Sequence, residues 1–344
     1  MPKSYTLRKR RIVVTATVIA ALSVLMIIVS CMVGSAGFSM NRTLAVLGDI
    51  LSGRASSDTL AYNIIAVVRL PRALLAFFTG AALAVSGTCM QGVFKNPMAE
   101  PSILGVSAGA GLGATVATVS GAGGAGLLGT ASIPLSAFVG SLGAVLIVYQ
   151  LSRVRGRTSL LSLLLAGTAL SSFLVAIMQG LMVMNHDKLA GIISWLMGSF
   201  GAASWQKIAW CLPLVAVGCA VCTLYTRDLN AMLMGDEEAR SLGVHVPRVR
   251  LIIIAASTLA VSAAVAACGI IGFVGLMVPH GMRLIVGPDH RVLLPFAFIG
   301  GGLYMLVMDL LARIVIAPME LPVGVLTAMI GGPFFIYLLR KGNK

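Results

Sequence analysis

The chain has 344 residues, of which 58% are apolar and only 10% charged, with a mean hydropathy of +0.99 and a formal net charge of +14. About a quarter of the residues in a soluble domain are charged, so a soluble enzyme, a disordered protein and a fibrous repeat are excluded. The positive balance does not mark a nucleic-acid partner, because the basic residues punctuate apolar runs instead of gathering on one domain.

Met1 to Arg11 carries Lys3, Arg8, Lys9, Arg10 and Arg11 and is followed by the uncharged run Ile12 to Val33, 22 residues long. Ile28-Val29-Ser30-Cys31 resembles a lipoprotein cleavage site. A signal-peptide apolar region, however, spans only about 7 to 15 residues, so a retained first membrane helix is expected. Further spans fall at 73–92, 102–119, 131–152, 159–183, 204–225, 251–268, 270–286, 292–312 and 322–339, each near the roughly 20 residues that a crossing needs.

Ten spans put both termini on the cytoplasmic side. The outer segments then hold seven basic residues, Arg42, Arg54, Arg69, Arg72, Lys188, Lys207 and Arg313, and the inner segments hold the other eighteen of the 25. That asymmetry follows the positive-inside rule. The expected fold is all-α and polytopic: one membrane domain over 1–344, with 1–11 as a cytoplasmic N-terminus and 226–250 as the longest cytoplasmic loop.

Glycine is abundant, at 39 residues. Gly80-Ala84-Thr88 and Gly105-Gly109-Gly113 put small residues on one helix face, where backbones can approach closely. Gly269, Gly272 and Gly275 recur at threes, and Gly331-Gly332-Pro333 is expected to interrupt the last span. Broken helices of this kind also line transport paths. The six cysteines lie in or beside apolar runs, and Cys219-Ala-Val-Cys222 has no second ligand pair in the sequence, so packing accounts for it better than zinc.

Uphill transport needs an energy source. None of the seven lysines follows a glycine, so the phosphate-binding loop G-x-x-x-x-G-K-[ST] is absent from the sequence. Asp309 alone lies clearly within a span, and Arg313 four residues on can pair with it. An ion-coupled secondary carrier would need that aspartate. Gly105-Val106-Ser107-Ala108-Gly109 matches the G-x-S-x-G nucleophile pattern but lacks the strand before it. An intramembrane serine hydrolase would pair Ser107 with a histidine at depth, whereas His186, His245, His280 and His290 are expected in loops or at span ends.

In the inner loop, Gly235-Asp236-Glu237-Glu238-Ala239-Arg240-Ser241-Leu242-Gly243 reads as a very short helix. Three acids in its first turn suit the positive end of the helix dipole, and Gly243 supplies a left-handed stop. Ala239 and Leu242 are expected to share a face near Met232, Leu233 and Val244. So short a helix is marginal alone. It reads as a knob that docks into a groove of a cytoplasmic partner.

Several motifs in order then resemble the FecCD family of ABC-transporter permeases. They are Arg69-Leu70-Pro71-Arg72, Gly80 to Gly87 with Gln91, Asn96-Pro97-Met98-Ala99-Glu100-Pro101 through Gly105, Leu165-Ala166-Gly167, and Trp195-Leu196-Met197-Gly198-Ser199. Later come the Gly235 to Val244 loop, Gly272-Phe273-Val274-Gly275-Leu276, Pro279-His280, Arg283, Asp289-His290-Arg291, Leu294-Pro295, Asp309, Arg313 and Glu320-Leu321-Pro322-Val323-Gly324. The resemblance covers about residues 60 to 340.

It implies a ten-helix subunit with the type II ABC importer permease fold in the bacterial inner membrane. The subunit would form a homodimer, or pair with a close paralogue, around a path on the two-fold axis. Two cytoplasmic ATP-binding subunits, carrying ATP and magnesium, would dock on the loop around Asp236 to Leu242. An extracytoplasmic binding protein would deliver an iron–siderophore, haem or cobalamin, meeting Arg69, Arg72 and Arg313 with its carboxylates. The cytoplasmic constriction would fall on Asn96 and Met98. Met98 replaces the usual leucine and Lys95 stands where an arginine is common. No bound cofactor, metal or covalent chemistry is expected of this chain.

Overall fold

The computed structural model describes residues 3–34, 37–54, 58–122, 127–154 and 157–342. Among the described residues fifteen α-helices run in chain order. The first seven are α1 (Lys3–Met32), α2 (Met40–Ser52), α3 (Thr59–Tyr62), α4 (Leu70–Phe94), α5 (Val106–Val119), α6 (Leu127–Leu151) and α7 (Leu160–Met184). The rest are α8 (Leu189–Leu196), α9 (Trp205–Leu224), α10 (Thr226–Met234), α11 (Asp236–Ser241), α12 (Val246–Cys268), α13 (Val274–Val286), α14 (His290–Ile314) and α15 (Val323–Gly342). The only β pairing among the described residues is a two-residue antiparallel contact of Arg153–Val154 with Arg157–Thr158. Of the basic residues counted on the inner side, Arg155 and Lys344 lie outside the described residues.

Seven of these helical stretches are long and apolar enough to cross a membrane, and three shorter apolar helices fill the remaining expected spans. The short ones are α5, α13 and the apolar part of α15, Val323–Leu338. A Pro101–Leu104 3₁₀ turn leads into α5. The segment between α12 and α13 carries two left-handed residues, Gly269 (φ 83°) and Phe273 (φ 67°). Irregular backbone at membrane depth survives only where protein surrounds it, and here Cys268, Ile271 and Val274 are all buried.

The structure changes three expectations. The expected span 73–92 is preceded by further helix: α2 is amphipathic, begins on the Ser39 hydroxyl and stops at left-handed Gly53. A π-helical stretch, Asn63–Arg69, then joins α3 to α4 in one helix of 36 residues, Thr59–Phe94. The last span is not interrupted at Gly331-Gly332-Pro333, because α15 carries Pro333 inside it, as neighbouring helices allow in membranes. His280 sits in the middle of α13 with its ring edge-on to Phe334 at 5.9 Å.

The core is built on α4 and α12, which bury most of their length against α9, α13 and α14. Small residues set the closest contacts. A Cβ on Gly80 would overlap the carbonyl oxygen of Gly301 on α14, and one on Gly109 would overlap that of Gly140 on α6. Backbones touch at these crossings as the small-residue faces predict. Cys89, Cys211, Cys219 and Cys222 are core residues of this packing.

Candidate functional site

Charged side chains gather at two opposite ends of the bundle. At one end Lys95 closes α4 in the left-handed region (φ 51°), with its N–H bonded to the carbonyls of Gln91 and Gly92. A residue with a Cβ is about 1–2 kcal/mol worse off there than glycine, and the Lys95 side chain forms an ion pair. Its Nζ lies 2.9 Å from Asp236 Oδ1. The chain then turns on Asn96, whose side-chain oxygen accepts the Met98 N–H at 2.9 Å. Asn96 is exposed and Met98 half-buried.

Asp236 opens α11, with Glu237 and Glu238 beside it in the first turn. Its other oxygen takes Arg250 Nη2, from the first turns of α12, at 2.9 Å. Burial works against the charge on Asp236, but hydrogen bonds from Lys95 and Arg250 outweigh it and hold the carboxyl below the usual carboxylate range. Gly243 (φ 86°) ends the turn as expected, with its N–H on the Arg240 carbonyl and Val244 N–H on that of Ala239. Ala239 and Leu242 do not share a buried face. Ala239 is buried, whereas Leu242 follows the last helical residue and is 66% exposed.

A second clasp lies beside the first. Asn230 of α10 donates from Nδ2 to Asp289 Oδ1 at 2.6 Å and accepts the His290 N–H on its own oxygen at 2.9 Å. His290 Nδ1 faces the same oxygen at 2.8 Å. Asp289 caps α14 through the Arg291 N–H. Burial disfavours its charge, yet the Arg291 N–H and the Asn230 amide hold its carboxyl below the ordinary range. The segment that carries α10 and α11 is therefore fastened to α4, α12 and α14 by polar contacts that no sequence spacing reveals.

The opposite end holds Arg69, Arg72 and Arg313. The three arginines that the resemblance sets against a binding protein are buried in this chain, with exposures of 6%, 9% and 9%. A helix C-terminus leaves its last carbonyls without partners, and two of these arginines supply donors to α1. Arg69 Nη1 bonds to the carbonyls of Cys31 and Met32 at 2.8 and 2.9 Å, and Arg313 Nη1 to those of Ser30 and Val33 at 3.1 and 2.9 Å. Arg72 grips Asp309 at 2.9 Å and half-exposed Glu320 at 2.9 Å. Asp309 also meets Arg313, its expected partner, at 3.4 Å, so sequence spacing found the weaker of its two contacts.

Ser107 lies in the first turn of α5, after a 3₁₀ turn and not a strand. It lines a cavity of about 20 Å³ with Glu100, Ser102 and Phe273, and no histidine is among the lining residues. Trp205 and Lys207 lie at the start of α9, where Trp205 Nε1 donates to the Ala66 carbonyl at 2.7 Å and Lys207 Nζ to that of Ala267 at 3.1 Å. Lys207 thus caps the C-terminal end of α12.

The chain matches the FecCD transport family over residues 21–341. It is 43% identical to the cobalamin import system permease protein BtuC of Halobacterium salinarum, over 81% of this chain and 74% of that one. It is 42% identical to the hemin transport system permease protein HmuU of Yersinia pestis, over 84% and 86% respectively. To the Fe(3+) dicitrate transport system permease protein FecD of Escherichia coli it is 40% identical, over 81% and 86%. The solved structure of a metal-chelate type ABC transporter in an inward-facing conformation superposes with a TM-score of 0.83 at 32% identity, covering 95% of this chain and 99% of that chain.

Proposed function

The chain belongs to the FecCD transport family, and from that premise we propose that it is the membrane-spanning permease subunit of an ATP-binding-cassette importer for a metal chelate. The cargo class is iron–siderophore, haem or cobalamin, in keeping with what the names of its relatives say of them. Two separate ATP-binding subunits, which hold ATP and magnesium, dock on α11 and supply the energy. A second copy, or a close paralogue, completes the path. An extracytoplasmic binding protein delivers the cargo. The chain lies in the bacterial inner membrane with both termini cytoplasmic, an orientation favoured by the excess of basic residues at the end that carries Lys95, Asp236 and Arg250.

The observation that carries this reading is the double bridge of Asp236. A six-residue helix that could not persist alone is tied at its first residue to Lys95, next to the Asn96–Met98 gate segment, and to Arg250 at the base of α12. A partner that moves α11 therefore moves the gate segment. Opening is a shift of population between two arrangements, biased by nucleotide on the partner. Arg69, Arg72 and Arg313 serve docking indirectly, by holding the rim formed by the end of α1 and the start of α4 on which a binding protein would sit.

The test is uptake into membrane vesicles that hold the complete transporter. Uptake that requires ATP and persists with a proton ionophore supports the proposal. Uptake that proceeds without ATP and collapses with the ionophore contradicts it and returns Asp309 to the role of a coupling group.

A further inference from the structure

We propose that the inner end of the chain carries an oxyanion site centred on Arg283, which takes a phosphate or carboxylate group. Arg283 stands in the last turn of α13, half-buried. Its Nη2 donates to Gln91 Oε1 at 2.8 Å, and Gln91 Nε2 donates to the Gly275 carbonyl at 3.4 Å, which turns the amide oxygen toward the guanidinium. The buried arginines have anionic or helix-end partners. Arg72 and Arg313 have Asp309, Arg250 has Asp236, and Arg69 has the carbonyls of Cys31 and Met32. Among the described residues Arg283 has one neutral amide, which leaves most of its five N–H donors for a ligand.

Beside it lies a cavity of about 270 Å³ whose lining includes Arg283, Lys95, Asn96, Gln91 and His290 and no acidic residue. The carboxylates on the adjoining elements are engaged, Asp236 by Lys95 and Arg250, and Asp289 by Asn230 and the Arg291 N–H. The Asn96 oxygen is turned to Met98 N–H, so its amide nitrogen is the group left to donate. His290 begins α14, a helix of 25 residues whose N-terminal dipole adds positive potential. A forked guanidinium with an amide donor is the donor set that carboxylates and phosphates fit. The site does not depend on the importer reading.

The test uses the full chain in phosphatidylcholine nanodiscs, with inorganic phosphate and citrate as probes, titrated calorimetrically at constant ionic strength. Wild type is expected to bind saturably, and Arg283→Gln to bind about tenfold or more weakly. Arg283→Lys keeps the charge without the fork and is expected to fall between them. It also stands in should the glutamine variant fail to fold. Repeating the titration in phosphatidylglycerol nanodiscs separates the sources. Lost binding there assigns the site to a lipid phosphate, whereas retained binding assigns it to soluble anions. An absence of saturable binding by wild type in phosphatidylcholine, or equal affinity in wild type and either folded variant, overturns the proposal.

Discussion

Lys95 Nζ and Asp236 Oδ1, 141 residues apart in the chain, meet at 2.9 Å and join the end of α4 to the start of α11. Both side chains are about one-third exposed, 33% and 34%, so the pair contributes little to stability, about 0–1 kcal/mol. In the proposed function its role is transmission. Lys95→Gln is expected to lower ATP-driven uptake about tenfold while the melting temperature shifts little, because Asp236 keeps Arg250. Lys95→Arg keeps the cation and is expected to retain uptake. Uptake and thermal unfolding measured on the same reconstituted samples check this. Loss of stability in Lys95→Gln that matches its loss of uptake would make the pair merely structural.

The same bridge fixes a pH window. The Asp236 carboxyl is depressed in the folded chain because the hydrogen bonds from Lys95 and Arg250 outweigh burial. A depressed carboxyl contributes stability that is present above its unfolded value of about 3.9 and is lost as pH falls through the folded value. The bridge is therefore intact from about pH 5 to pH 8. Wild type and Asp236→Asn are expected to give parallel uptake profiles across that range. A titration step in wild type that disappears in the variant would contradict this assignment.

Exposed Leu242 and the acidic first turn form the surface that the proposed function gives to an ATP-binding partner. Replacing Glu237 and Leu242 together by alanine is expected to abolish uptake and co-purification of the ATP-binding subunit. Insertion and melting temperature should stay unchanged, since neither side chain is in the core. Normal uptake by the double variant would remove α11 from the coupling path.

At the end of the bundle that holds Asp309, Arg72→Ala leaves that aspartate, which is 1% exposed, with Arg313 as its remaining ion-pair partner. Breaking a buried pair costs about 3 kcal/mol or more, whereas Glu320→Gln, on a side chain 45% exposed, costs at most about 1 kcal/mol. Arg69→Glu with Arg313→Glu strips donors from the end of α1 and is expected to lower the melting temperature beyond either change alone. Differential scanning fluorimetry ranks the three. A charge reversal that weakens the binding protein while stability holds would place these arginines in direct contact with it.

Much of the architecture was legible because apolar runs of membrane length admit few alternatives. The ten expected spans fall on α1, α4 to α7, α9 and α12 to α15, and the small-residue faces at Gly80 and Gly109 meet backbone as expected. Less was legible where order arises from contacts between distant segments. The Lys95–Asp236 and Arg72–Asp309 pairs span 141 and 237 residues, and no periodicity encodes them. The three outer arginines resembled a docking set, yet helix-end carbonyls and Asp309 draw them inside. The signal for α2 was present in Ser39 and Gly53, which cap an amphipathic run at both ends. Leu242 turned outward because the helix stops one residue before it.

The most direct measurement reconstitutes the purified chain into liposomes, once alone and once with its ATP-binding subunit and binding protein. The account predicts accumulation against a gradient only with the partners and hydrolysable ATP, and none by the chain alone. Uphill accumulation by the chain alone would contradict it.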